Sequence, residues 1–239
     1  MRVALLVPCF VDQLLPEVAK ACVTVLRRLG YDVEVPAGQT CCGQPAYNAG
    51  HHDRARDVAL HTLDVFEDSE AVIVPSGSCG AMIRHGFIDL LPGDKRATRL
   101  AERTYEFSEF LADVERVDDV GAAMNGAATF HDGCHGLREL GIKSAPRRLL
   151  KHVRGLELRE MDHAETCCGF GGTFAVKFAQ ISSAMAQVKV DFIERTKVET
   201  VISNDPSCLL QIKGFAEQQG RPLRCLHTAE VLAMTETGS

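Results

Sequence analysis

Eight of the ten cysteines recur in the same order in the two halves of the 239-residue chain. Each half has a single cysteine, then an adjacent pair, then a last cysteine. The two sets are Cys9, Cys41, Cys42, Cys79 and Cys134, Cys167, Cys168, Cys208. The pair follows the single cysteine by 32 residues in the first half and by 33 in the second, and the last cysteine follows the pair by 37 and by 40. Such matched spacing indicates a duplicated unit.

The residues around the cysteines repeat as well. Thr-Cys-Cys-Gly occurs at 40–43 and again at 166–169, and the segment at 108–112 parallels the one at 229–233. A stretch of small residues at 121–126 lies between the two copies. We therefore predict two repeats, residues 1–122 and residues 123–239.

Short apolar, β-branched runs alternate with helical patterns, which is typical of a parallel α/β sheet. Helices are predicted at 15–29 and 53–66. The predicted strands are 2–7, 31–35 and 71–74 in the first half and 128–131, 156–161, 200–203 and 222–226 in the second. The predicted fold is an α/β protein made of two repeated parallel-sheet, Rossmann-like βαβ units related by pseudo-two-fold symmetry.

Every cysteine of the duplicated set follows a predicted strand. The loops after parallel strands lie at one edge of the sheet, where ligands bind, and helix N-termini that favour anionic groups point at the same edge. We therefore expect four thiols to converge in each half. Cys22 and Cys225 lie outside the repeat, in a helical and a strand pattern, and are expected to be small core residues.

Four thiolates suit tetrahedral zinc or an iron–sulfur cluster. Neither half has the short C-x-x-C turns usual in structural zinc sites, and adjacent cysteines are used more easily on a cluster, where each can bind a different iron. The eight cysteines of the duplicated set are the predicted ligands of an iron–sulfur cluster of the 4Fe-4S type, with zinc as the alternative occupant. A thiol–disulfide role for the adjacent pairs also stays open, and no residue is predicted to be catalytic.

Two histidines lie close to a cysteine in the sequence. His131 and His135 bracket Cys134 and could ligate or tune a centre, but capping a turn and partial exposure are their more ordinary roles. No histidine is therefore included among the predicted ligands. His227 is expected to begin the last helix, and the surface is the expected place for His51, His52 and His85.

The composition narrows the range of partners and compartments. Lys and Arg total 26 against 32 Asp and Glu, a formal charge of −6, so the chain lacks the basic surface of a nucleic-acid-binding protein. No apolar run is long enough to span a bilayer. The apolar segment at 3–11 is interpreted as a buried strand rather than a signal peptide, because no small-residue cleavage site follows it. The expected location is the cytoplasm.

From Cys9 to Glu230 the pattern resembles the cysteine-rich, or CCG-domain, family. That family includes the cysteine-rich subunit of heterodisulfide reductase and the iron–sulfur subunit of glycolate oxidase. A chain of two such domains without a ferredoxin-like segment is most similar to the lactate-utilisation members. The resemblance implies electron transfer through iron–sulfur centres in a complex of three proteins that oxidises L-lactate to pyruvate. It implies a non-catalytic or co-catalytic subunit with a ferredoxin-like iron–sulfur protein among its partners.

The chain departs from the family pattern at one position in each half. The fuller family motif ends in C-x-x-C, but here Ser76 and Asp205 occupy the place of its first cysteine. The five-cysteine set that holds the non-cubane clusters of heterodisulfide reductase is therefore incomplete in both halves. Four thiols per half could still hold an ordinary four-iron cluster, with Ser76 and Asp205 as weaker candidates for an oxygen ligand.

Overall fold

The computed structural model describes residues 1–235 and contains two parallel sheets of four strands each. Residues 236–239, the end of the predicted second repeat, lie outside the described residues. In chain order the strands are β1 (Arg2–Leu5), β2 (Asp32–Glu34), β3 (Val72–Val74), β4 (Thr104–Glu106), β5 (Ala123–His131), β6 (Arg154–Leu158), β7 (Thr200–Ser203) and β8 (Arg224–His227).

Helices connect the strands on both sides of each sheet. In the first half they are α1 (Cys9–Leu14), α2 (Pro16–Arg28), α3 (Gln44–Asn48), α4 (His52–Val65), α5 (Gly77–Ala81), α6 (Phe87–Leu90), α7 (Lys95–Glu102) and α8 (Phe107–Glu109), with π-helical segments at Met82–Gly86 and Phe110–Val114. In the second half they are α9 (Cys134–Arg138), α10 (Ser144–Lys151), α11 (Thr173–Lys177), α12 (Ala179–Arg195), α13 (Pro206–Gln218) and α14 (Thr228–Ala233).

The two sheets have the same topology. Their strand orders are β2-β1-β3-β4 and β6-β5-β7-β8, and all neighbouring strands pair in parallel. In both sheets, therefore, the first and third strands of the half form the centre. This arrangement confirms the predicted α/β fold class with two repeated parallel-sheet units.

Contacts between the halves are reciprocal, as pseudo-two-fold symmetry requires. Helix α5 of the first half packs against α9 of the second, and the equivalent pair α13 and α1 also meet. Arg28 at the end of α2 donates hydrogen bonds to the carbonyl oxygens of Leu232 and Ala233 in α14. In the opposite direction, Arg148 in α10 donates to the carbonyl oxygen of Ala112. Each arginine thus binds carbonyl groups in the last helical segment of the other half, α14 for Arg28 and the π-helical segment Phe110–Val114 for Arg148, where a positive charge is favourable.

Several strand boundaries differ from the sequence-based prediction. Strand β5 begins at Ala123, five residues before the predicted start at 128, and β1 ends at Leu5 rather than at residue 7. Strand β4 was not predicted, because its three residues are too short a run to show a periodic pattern. It corresponds in position to β8, since each of them is the edge strand beside the third strand of its half.

The core does not divide at the boundary between the repeats. One cluster of buried apolar side chains combines residues of both halves, including Leu5, Phe107, Phe130 and Leu232. Two smaller clusters lie within the first and the second half, beneath the cysteines. The predicted seam falls at the start of β5, but the division into residues 1–122 and 123–239 stays a prediction. Within residues 1–235, none of the helices is long and apolar enough to cross a membrane.

Candidate metal centre

All eight cysteines of the duplicated pattern lie at the carboxyl ends of the strands. Cys9 and Cys134 are the first residues of α1 and α9, and Cys79 and Cys208 lie in the first turns of α5 and α13. The adjacent pairs lie in the loops that precede α3 and α11. Strand ends and helix starts therefore hold every sulfur in place, as the predicted topology required.

The four sulfurs of the first half are in close contact. The Sγ atoms of Cys9 and Cys41 are 3.7 Å apart, and those of Cys42 and Cys79 are 3.4 Å apart. The first of these two pairs is nearer the solvent: Cys9 and Cys41 are partly exposed, whereas Cys42 and Cys79 are buried. The half therefore presents two outer and two inner sulfurs.

The second half repeats this arrangement. The thiol of Cys167 raises the pKa of Cys134, and those of Cys167 and Cys208 raise the pKa of Cys168, so these sulfurs lie near one another. Here too the first pair is partly exposed and the second pair is buried. Both expected groups of four thiols are thus brought together, and the two groups are equivalent in exposure.

The glycine after each cysteine pair is required by its backbone geometry. Gly43 and Gly169 have φ angles of +83° and +87°, in the left-handed region that favours glycine. In this conformation the backbone N–H of each glycine donates to the Sγ of the first cysteine of the pair, Cys41 or Cys167, at 3.4 Å. The Thr-Cys-Cys-Gly repeat therefore encodes a turn that orients a sulfur and gives it a donor.

The close packing of the thiols separates their pKa values. Hydrogen bonds from Cys42 and Cys9 lower the pKa of Cys41 to about 3, and hydrogen bonds from Cys134 and Cys168 lower that of Cys167 to about 2. Hydrogen bonding to Cys41 raises the pKa of Cys9. Each half therefore favours a thiolate at the first cysteine of its adjacent pair. Metal binding requires deprotonated thiols, so it would release the remaining protons.

The two groups of thiols line one shared pocket. The pocket is partly open to solvent, and all eight cysteines contribute to its wall. Phe10 of the first half and Phe170 of the second meet edge to face at the pocket, with ring centroids 5.4 Å apart. The sequence predicted a four-thiol site in each half but did not predict that both would open into one pocket.

Ser76 and Asp205, the weaker ligand candidates, cap the helices that carry the last cysteines. Ser76 accepts a hydrogen bond from the backbone N–H of Cys79 at 3.3 Å. Asp205 accepts from the N–H of Ser207 at 3.1 Å and, across the boundary between the halves, from the N–H of Ser78 at 2.9 Å. Their oxygens already hold backbone donors, and their role as metal ligands stays a prediction.

The histidines differ in their exposure to solvent and in their hydrogen-bond partners. His51, His52 and His85 are exposed as expected, and His227 caps α14 through its Nδ1, which accepts from the N–H of Ala229 at 3.1 Å. His135 is partly exposed and pairs with Glu139 at 2.5 Å.

His131 behaves differently, because it is fully buried and neither of its ring nitrogens has a hydrogen-bond partner. One of its nitrogens lies within 4.8 Å of the Sγ atoms of both Cys168 and Cys208. The sequence singled out His131 as a neighbour of Cys134 but placed it among turn caps. One feature of the sequence could have favoured His131 as a ligand: it is the last residue of a buried central strand, next to the edge where the cysteines lie.

Lys189 is a buried cation near the second-half thiols that sequence reasoning missed. Its Nζ donates to the backbone carbonyls of His163 and Ala164 at 2.9 and 3.0 Å. Burial lowers its pKa to about 8, while the charges of Cys168 and Cys208 oppose this shift. No pattern predicted Lys189 because in the sequence it is one charged residue of a helix, α12.

Two duplicated sets of thiols at the carboxyl edges of parallel sheets define an α/β protein with a cysteine-rich site of the kind that binds metal. The model of the family described as "Cysteine-rich domain" (CCG) matches residues 3–84 and 128–213. Both copies of the repeat are included in the match. The chain belongs to this family.

Individual relatives indicate the kind of protein more specifically than the family model does. The chain is 46% identical to Lactate utilization protein A of Bacillus cereus (strain G9842) over 235 residues, which cover 97% of this chain and 98% of that protein. It is 47% identical to Lactate utilization protein A 2 of Bacillus mycoides (strain KBAB4), with the same coverage of both chains. The chain is therefore a homologue of lactate utilization protein A, and the family resemblance predicted from the cysteines is confirmed.

Solved structures add little. A glutamate racemase from Francisella tularensis aligns with 97% of this chain and 78% of its own, at 10% identity and a TM-score of 0.37. A similarity this weak does not indicate a shared function.

Proposed function

We propose that the chain is an iron–sulfur electron-transfer subunit of an oxidoreductase complex that oxidises L-lactate to pyruvate. The observation that carries the proposal is the shared pocket, to which each half contributes four closely packed thiols. Thiolates are the ligands that iron–sulfur clusters prefer. The substrate is supported by the similarity, across 97% of the chain, to proteins named for lactate utilization.

The residues of the pocket fit a bound cluster better than a bound lactate. Oxidation of L-lactate to pyruvate removes two electrons and two protons, and a substrate carboxylate is usually bound by a cation. Among the described residues that line the pocket there is no lysine or arginine. We therefore assign the chain a non-catalytic or co-catalytic role, in which its cysteines hold clusters that, when bound, accept and pass on single electrons.

The arrangement of the sulfurs also suits exchange of electrons with partners. In each half the outer cysteines, such as Cys9 and Cys134, are partly exposed, so a bound centre would lie close to the molecular surface. The proposed partners are the other subunits of a lactate-utilisation type complex, including a ferredoxin-like iron–sulfur protein. The proposed location is the cytoplasm.

A thiol–disulfide role is the second candidate, because one observation favours it. The sulfurs of Cys9 and Cys41 are 3.7 Å apart, and the low pKa of Cys41 favours the thiolate that attacks disulfides. A structural zinc module is the third, since thiolates and imidazole are also zinc ligands. Both alternatives predict protein without iron.

The deciding measurement is the iron and acid-labile sulfide content of anaerobically purified protein, with its visible spectrum. We expect iron and sulfide in cluster proportion and a broad visible absorption. Stoichiometric zinc without visible absorption would favour the structural module. Metal-free protein that exchanges its own disulfide with dithiol substrates, oxidising them as its cysteines are reduced, would favour the thiol–disulfide role if the activity is lost in Cys41→Ser or Cys167→Ser.

Substitution of single cysteines tests whether each half binds its own share of the iron. Cys41→Ser and Cys167→Ser should each lower the iron content by about half, because each removes one ligand from one group of four. Cys225→Ser is the matched control, since Cys225 lies in β8, outside the pocket, and should keep the full iron content. Iron that stays unchanged in both pocket variants would contradict ligation by these cysteines.

A further inference from the structure

The two halves carry different residues at the buried position three residues before their first cysteine. His131 precedes Cys134 by three residues, and the residue three before Cys9 is Leu6. Both side chains are buried at the carboxyl end of the first strand of their half. The first half therefore places an apolar side chain where the second half places an imidazole.

The imidazole of His131 makes no well-formed hydrogen bond within residues 1–235. It is fully buried, and although the backbone of Ala164 lies close to the ring, neither ring nitrogen has a hydrogen-bond partner of good geometry. A buried polar group without a partner is unfavourable, so such a group calls for an explanation. The explanation cannot be packing alone, because Leu6 fills the equivalent site of the first half without any polar atom.

A bound metal would supply the missing partner. A ring nitrogen of His131 lies within 4.8 Å of the Sγ atoms of Cys168 and Cys208, so the three groups could ligate a common ion or neighbouring atoms of one cluster. Imidazole and thiolate are both ligands of iron and zinc. The equivalent thiols of the first half, Cys42 and Cys79, belong to the same apolar cluster as Leu6.

We infer that His131 is a nitrogen ligand of the second-half metal centre, so that the pocket holds two chemically different centres: one bound by thiolates alone and one bound by thiolates and an imidazole. This inference rests on the proposed function, because it concerns a ligand of the proposed centre. The second half then offers five donors, four thiols and one imidazole, so a bound His131 leaves one thiolate off a cluster that takes four ligands, and the exchange of a thiolate for a neutral imidazole raises the reduction potential. The nearby cation of Lys189 acts in the same direction. Electrons should therefore collect on the second-half centre.

The test uses His131→Leu, which installs the residue that the first half already carries at this position, so the fold should be retained. The control is His135→Leu, because His135 lines the pocket beside Cys134 but pairs with Glu139. Both variants are made in the Cys41→Ser background, which removes the first-half centre and leaves the second to be observed alone. Protein labelled with ¹⁵N-histidine is loaded with iron and sulfide, reduced, and measured by pulsed EPR and X-ray absorption.

We expect a directly bound histidine nitrogen in the parent and in His135→Leu, and none in His131→Leu. The reduction potential should fall in His131→Leu and stay unchanged in the control. Iron-loaded parent protein without a bound nitrogen, or a nitrogen signal that persists in His131→Leu, would overturn the inference while leaving the iron–sulfur function intact.

A failure of the proposed function gives a different result. If the parent binds no iron, the same variants are loaded with Zn²⁺ alone and their metal shell is measured by X-ray absorption. A mixed nitrogen and sulfur shell that becomes sulfur-only in His131→Leu would support His131 as a ligand without any cluster. A sulfur-only shell in the parent, or no zinc bound at all, would overturn the inference.

Discussion

Glu106 at the end of β4 is a carboxyl group without any exposure to solvent. One of its oxygens accepts hydrogen bonds from the N–H groups of Ser108 and Glu109 and caps α8, while the other has no partner. Burial raises its pKa to about 8, opposed by the donors of Ser108 and Glu109, and the charge of Glu109 adds to the rise. The buried thiol of Cys22 is the other titratable group near it, and Glu109 is itself paired with Arg84.

This carboxyl group should make the stability of the protein depend on pH. In the unfolded chain it ionises near its ordinary pKa, whereas in the folded protein it stays protonated until about pH 8. Its contribution is therefore fully present in acid and is lost as the pH rises from about 4.5 to 8. We expect Glu106→Gln to gain stability relative to wild type by about 1 kcal/mol per pH unit across that window. Urea unfolding of both proteins at several pH values measures the difference.

The comparison between the two proteins removes the contribution of the cysteines, which is common to both. The glutamine keeps an oxygen that can accept from Ser108 and Glu109, so the cap survives. A difference in stability that stays constant from pH 5 to 8 would contradict a raised pKa for Glu106.

At the residue scale, the sequence predicted the thiols but not their surroundings. The eight cysteines could be selected because their spacing repeats, which is visible without a structure. The roles of His131 and Lys189 depend on burial and on groups distant in sequence, and neither residue belongs to a repeated pattern. A lone histidine or lysine has many more ordinary roles than that of a buried group beside a thiol cluster.

At the scale of elements, the loop that carries the second cysteine pair has little room for change. A Cβ atom on Gly169 would lie 2.6 Å from the carbonyl oxygen of Ser182 and 2.9 Å from Met185 in α12. The same glycine carbonyl accepts a hydrogen bond from the Ser182 hydroxyl at 2.8 Å. The turn therefore packs tightly against α12. The backbone N–H of Gly169, which donates to the sulfur of Cys167, has no room to shift.

We expect Gly169→Ala to destabilise the protein by about 3 kcal/mol, from left-handed strain and from overpacking together. It should also remove the metal of the second half. Gly38→Ala is the matched control, because Gly38 has a φ of +84° and nothing within 4 Å of an added Cβ. The control should lose only about 1 kcal/mol and no metal. Equal losses in the two variants, measured by unfolding and metal content, would refute the packing argument.

The elements themselves were predicted well where their patterns were long or buried. Strand β7 (Thr200–Ser203) has the bounds that were predicted, and α2 and α4 differ from the prediction by one residue at each end. The start of β5 was missed because Gly126 and the alanines around it lack β-branched side chains. The order of the strands was not predicted, because right-handed parallel connections restrict the possible orders without selecting one.

At the scale of the whole molecule, the backbones of the two halves come into contact beside the pocket. A Cβ atom on Gly77, the first residue of α5, would lie 2.7 Å from the Cα and 2.9 Å from the N of Gly136 in α9. The hydrogen bond from Ser78 to Asp205 crosses the boundary one residue further on. Backbone contact of this kind cannot be inferred from sequence, because it depends on how two complete sheets pack.

We expect Gly77→Ala to push the halves apart and to cost about 2 kcal/mol, since backbone cannot yield to the added methyl group. Metal content should fall in both halves, because both groups of thiols share the pocket. Gly136→Ala is the control: its Cβ would lie 3.4 Å from Gly77, in ordinary contact, and alanine favours the helix. Thermal unfolding and metal analysis of the two variants test this, and a Gly77→Ala protein with wild-type values would contradict a rigid boundary.

The outer and inner sulfurs have a consequence for the order in which the site is filled. Cys9, Cys41, Cys134 and Cys167 are within reach of solvent, whereas the remaining four thiols of the pocket are sealed beneath them. An arriving ion meets the outer pair of a half first and reaches the inner pair only afterwards. The outer sulfurs also shield the inner ones from chelators and oxidants. We therefore expect metal capture to begin at the rim and metal release to be limited by the sulfurs that lie deepest.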